Sequence, residues 1–125
     1  MGIFGRSYDL RQFDQALRSV DLHPALVPEA VKLTAVNLLK DHAANDDPAP
    51  ASYRAAAEIV GYCMIGAEAF AGANSEELAR SVERRLEAAL QSGDGLDAQL
   101  VLLTLHARVI QPSVVRDYGL ESARD

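Results

Sequence analysis

Apolar and polar residues recur at helical spacing along most of this chain. Between Asp9 and Val20, the residues Leu10, Phe13, Leu17 and Val20 fall in one stripe ~80° wide on a helical wheel, with Arg11, Asp14, Gln15 and Arg18 opposite. The following DLHP ends that helix, because the residue before a proline is pushed out of the α region. Pro28 suits the first position of a second helix and Glu29 complements its positive end. That helix runs to about His42, with Val31, Ala35, Leu38 and Leu39 as its apolar stripe. The segment AANDDPAP is the clearest loop, with Asn45 suited to a left-handed helix cap.

The stretch from Ala51 to Gly72 is apolar almost all round, the pattern of a central helix. On a continuous helix Arg54, Glu58 and Glu68 share one narrow sector with Ala57, Gly61 and Gly72. That seam of charge and small residues predicts a close, partly polar crossing, within the bundle or between two copies. Asn74 with Glu77 reads as a capping box opening an amphipathic helix that Gly93 stops. Asp94 and Asp97 then offer caps for a helix over 96–110, which Pro112 ends. Ser113 to Tyr118 predicts a last short turn closed by Gly119. No run alternates long enough to build a sheet.

The expected fold is therefore all-α: a compact single-domain helical bundle of about five main helices plus a short C-terminal one. Residues 1–7 and 121–125 read as flexible tails. A chain of 125 residues with 49% apolar composition can bury a real core without a metal or disulfide staple. The net charge of −6 leaves no basic field for nucleic acid, and the absence of Trp removes a stacking platform. A lone cysteine, Cys63, fits a reducing, cytoplasmic setting. The start MGIFGRSYD has neither a secretory pattern nor the Ser or Thr that myristoylation requires at position 6. The 51–72 helix is long enough for a bilayer, but its three charges would be costly there, so no membrane partner is expected.

Candidate chemistry is sparse. His42 lies in register with the apolar stripe of its helix, and His106 lies opposite a polar face formed by Asp97, Thr104, Arg108 and Gln111. Both are expected to point inward, and one functional account joins His42, His106, Glu58 and Glu68 around a pocket for a small ligand or metal, or for a minor enzymatic reaction. The plainer account gives each histidine a helix-end carbonyl or neighbouring side chain. No Glu-x-x-His is present, and Glu58 and Glu68 lie ~15 Å apart along a helix, too far to share a proton or a metal. Arg54 and Glu58 have the spacing of an ion pair. Cys63 reads as a small core residue, and the acidic loops lack the glycine and terminal Glu of a calcium site. No catalytic residue, metal or cofactor is expected. The expected function is protein–protein contact, with a homodimer as one form of it and Arg54, Ala57, Gly61 and Gly72 at the interface.

Overall fold

The central helix forms as the sequence pattern predicts. It is α3, Pro50–Ala73, and it buries Tyr53, Ala57, Ile59, Val60, Tyr62, Cys63 and Phe70. Around it pack α1 (Gly2–Ser19), α4 (Glu76–Ser92), α5 (Leu96–His106) and the short α6 (Pro112–Asp117), while α2 (Glu29–Asp41) lies against α1, α5 and α3. The computed structural model describes residues 2–120, with side chains from Tyr8 onward except that of Asp46. The architecture is all-α, and one buried apolar cluster extends from Phe13 to Leu120. Phe13, Leu17 and Val20 reach it from α1, as their stripe predicts, each contributing about 1.5–3 kcal/mol of burial. α1 starts at Gly2, so the tail expected over 1–7 is helical from its second residue; the tail expected over 121–125 lies outside the described residues. Asp9, where the sequence pattern starts the first helix, is buried and ties three helices together. It accepts a hydrogen bond from Tyr53 Oη at 2.8 Å and pairs with Lys40 Nζ at 3.1 Å.

α3 is one element in the hydrogen-bond pattern but two in geometry. At Gly66 the backbone takes φ 90°, ψ 166°, a conformation essentially reserved for glycine. The interrupted ladder frees the Cys63 carbonyl, which accepts the amide of Gln111 at 2.8 Å. Beyond the break the helix is bent so that Phe70 comes against residues before it. The Phe70 ring packs edge-on against Tyr62 with centroids 5.6 Å apart, and a Cβ added at Gly61 would lie 3.5 Å from Phe70 Cε1. In a straight helix, positions 61 and 70 would be separated by ~13 Å along the axis.

This break corrects the expected seam. Ala57 and Gly61 are buried, whereas Arg54, Glu68 and Gly72 are exposed. The neighbours of Gly61 are the Phe70 ring and Val20 Cγ2, both side chains, and Gly72 has nothing within 4 Å of its Cβ direction. The crossing at Gly61 is internal to the chain. Both neighbours sit at ordinary contact distance, so Gly61→Ala should fit and gain up to ~1 kcal/mol of helix propensity. Gly61→Leu should instead drive its terminal carbons into Phe70 and Val20 and lose about 1–2 kcal/mol net. Urea melts of the two variants should move in opposite directions. A stabilised Gly61→Leu would mean that the site is open.

Helix ends also depart from the expected pattern. Ser75, not Asn74, caps α4, its hydroxyl accepting from the Leu78 amide at 3.0 Å. Asn74 closes α3 instead, donating from Nδ2 to the carbonyls of Val20 and Phe70 at 3.0 and 3.2 Å. Gly95 precedes α5 without a side-chain cap, so neither Asp94 nor Asp97 acts as one. α5 stops at His106 rather than 110, because Arg108 turns left-handed (φ 61°) and the Val109 amide bonds back to the Thr104 carbonyl at 3.1 Å. That early stop leaves Arg108 and Gln111 outside the helix and removes half of its expected polar face. The observed inward face carries Ala98, Leu100, Val101, Thr104 and Leu105, and the outward face carries Gln99, Leu102 and His106.

Candidate functional site

The expected pocket of His42, His106, Glu58 and Glu68 does not assemble. His42 is exposed at the end of α2, where Nε2 meets Gln99 Oε1 of α5 at 2.8 Å. His106 is exposed on the outward face of α5, correcting the inward orientation expected for both histidines. Among the described residues, no three His, Cys, Asp or Glu side chains gather closely enough to hold a metal ion.

Glu58 belongs to an ion network. Arg54 Nε reaches its Oε2 at 3.2 Å, the pairing that the spacing predicts. The hub is Arg85 of α4, which donates to Glu58 Oε1 at 3.0 Å, to both carboxylate oxygens of Asp97 at 2.9 and 3.1 Å, and to the Ala55 carbonyl at 3.0 Å. One guanidinium thus staples α3, α4 and the start of α5. Helical phase places Arg85 beside Val82 and Ala89 and Arg84 on the outward face, but the sequence gives no sign of the partners that Arg85 meets, which lie on other helices.

Glu68 stands elsewhere, at the mouth of a groove of roughly 310 Å³ between the second half of α3 and the first half of α4. Ala79 is buried and Ala67 and Ala71 half-buried, so alanines form its floor. Glu68, Glu76, Arg80 and Glu83 form its rim. The groove exists because both helices present alanine where they meet, which lowers the surface between their larger outward side chains. Arg80 Nη2 pairs with Glu76 at 3.2 Å, one turn away on its own exposed face, a contact of little energetic weight. Glu68 makes no hydrogen bond or ion pair among the described residues. Glu83 is different: the buried Tyr62 hydroxyl donates to its Oε2 at 3.1 Å and meets Tyr118 Oη of α6 at 3.2 Å. A core phenol thereby orients one rim carboxylate. A second, wider recess of roughly 630 Å³ lies beside the C-terminal half of α4, lined by Arg84, Glu87, Leu90, Gln91 and Tyr118.

Three protic side chains, Tyr53, Tyr62 and Cys63, are buried in the core. Burial, with Tyr118 and Glu83 adding to it, raises the Tyr62 phenol above its ordinary range, and burial with the Asp9 hydrogen bond does the same to Tyr53. Burial pushes the Cys63 thiol up to about 12, with Thr104 pulling part of the way back. Such a thiol is inert as a nucleophile near neutral pH. The unfolded thiol, with its ordinary value of 9.0, loses its proton before the folded one. Its contribution to stability is therefore fully present below pH 9.0 and falls as the pH rises toward about 12, by ~1.4 kcal/mol per pH unit. The tyrosines add the same sign from their ordinary value of 10.0 upward. The urea midpoint should be level from neutrality to about pH 9 and decline above it. In Cys63→Ala, measured against its own neutral value, the decline should begin about one pH unit later. An unchanged onset would remove the thiol from the account.

No family model matches the chain, and neither does any curated protein or solved structure.

Proposed function

We propose that this protein acts through protein–protein contact, with the α3–α4 groove as its docking surface. The observation that supports this reading is the groove's construction: an alanine floor that admits a close backbone, bounded by a carboxylate, Glu68, that has no partner among the described residues. Small residues at the floor and charges at the rim suit a helix laid into a groove. The histidines and the buried thiol do not support an enzymatic reading: the first two lie apart on the surface, and the third keeps its proton. A reducing, cytoplasmic setting accords with the single buried thiol.

A photo-crosslinking residue placed at Ala71, with Asp41 on α2 as the control position, tests the reading in the cells that make the protein. One discrete adduct at position 71 and none at 41 is the expected result. Equal or absent labelling at both positions would overturn it. Light scattering on the purified chain then distinguishes self from non-self, since a monomer has a mass of 13.5 kDa and a homodimer twice that.

A further inference from the structure

We propose that the occupant of the α3–α4 groove is a cationic amphipathic helix from another protein. This inference rests on the docking reading and adds the partner's chemistry. The rim carries Glu68, Glu76 and Glu83 against one cation, Arg80, which Glu76 already holds. Two carboxylates are therefore left to an incoming ligand. Glu68 is exposed and makes no hydrogen bond or ion pair among the described residues, so it can swing to a cation without breaking one of their bonds. Glu83 is held in place from below by the Tyr62 hydroxyl on Oε2, which leaves Oε1 for a second cation.

The floor sets the shape of the occupant. Ala67 and Ala71 lie one turn apart on α3, and Ala79 and Glu83 lie one turn apart on α4. The alanine pair of α3 and the single Ala79 of α4 admit a third helix at close range, with small or medium apolar residues against the floor. Lysine or arginine on either flank of that stripe would then reach Glu68 on one side and Glu83 on the other. The other polymers fit poorly. Nucleic acid and anionic lipid would meet a negative rim on a chain of net charge −6. A second copy of this chain also carries a net charge of −6, so it would bring further negative charge to a negative rim.

The test uses the full chain and two synthetic amphipathic peptides of about 14 residues, with one alanine–leucine face and flanks of lysine in one and glutamate in the other. The lysine peptide is expected to shift the backbone amide signals of Ala67, Ala71 and Ala79, and its affinity should fall about tenfold between low salt and ~0.3 M. Glu68→Lys should weaken it about tenfold, while Asp41→Lys, the same charge change at an exposed position on α2, should not. Glu68 is exposed and unpaired among the described residues, so its variant keeps the fold. Equal binding of the glutamate peptide, or equal affinity of Glu68→Lys and wild type, would overturn the cationic partner and leave the docking surface standing. Groove amides unmoved by both peptides would overturn the docking reading as well. Groove signals that broaden with protein concentration alone would assign the surface to a second copy and overturn the heterologous partner.

Discussion

Gly66→Ala should destabilise the fold by about 3 kcal/mol, the largest effect expected of a single methyl group in this chain. Two costs add. The φ of 90° with ψ of 166° is a region that residues with a Cβ scarcely enter. The new methyl would also lie 3.2 Å from Ser113 Oγ and 3.7 Å from Gln111 Cγ, at the point where the Gln111 amide caps the Cys63 carbonyl. Relieving either cost by straightening α3 would pull Phe70 away from Tyr62 and Gly61 and uncover the core. Gly72→Ala is the matched control on the same helix. No atom of the described residues lies within 4 Å of its Cβ direction, so the added methyl should give a gain of up to ~1 kcal/mol. Chemical denaturation of both variants measures the contrast. A Gly66→Ala loss below ~0.5 kcal/mol would mean that α3 runs straight through position 66.

Arg85→Met should cost about 2 kcal/mol. The change strips Asp97 of its partner, leaves Glu58 with Arg54 alone and abandons the Ala55 carbonyl. Fully buried networks lose ~3–5 kcal/mol when one partner goes, but Arg85, Glu58 and Asp97 retain 26, 15 and 30% side-chain exposure, so water recovers part of the loss. Arg85→Lys should restore less than half, since an ammonium cannot reproduce the fork that spans two carboxylates and a carbonyl. Thermal melts give the order wild type, lysine variant, methionine variant. Equal stability of the methionine variant and wild type would make the network ornamental. The loss should also appear as faster hydrogen exchange at the start of α5, which Asp97 anchors.

Patterns confined to one turn or one stripe were legible in the sequence. Leu10, Phe13, Leu17 and Val20 defined the inner face of α1, Arg54 and Glu58 paired at their expected spacing, and Asn45 took its left-handed conformation. Two of the readings that failed assumed a continuous helical phase. Extending the wheel of α3 through Gly66 put Gly72 in line with Gly61, and extending α5 through Arg108 placed Thr104 on a polar face. Thr104 is in fact fully buried, its hydroxyl donating to the Val101 carbonyl at 2.8 Å and so needing no water. His106 moved outward with the same rotation. For the candidate site, Glu68 was singled out, but the groove beside it was not, because alanines at 67, 71 and 79 carry no chemical signal until two helices bring them together.

The chain's own pattern determined the helical class, the number and order of helices, and the choice of α3 as the core, because helical period, proline punctuation and apolar content are local properties. Tertiary structure alone decided where α3 breaks, which groups Arg85 staples together, which side of α5 faces inward and where a groove opens between α3 and α4. Each of those outcomes depends on a neighbour distant in sequence: Gln111 on the Cys63 carbonyl, Glu58 and Asp97 on Arg85, and Val20 and Phe70 against Gly61. A helical wheel contains one helix, and the energy that selects its phase and its bends comes from the surfaces it packs against.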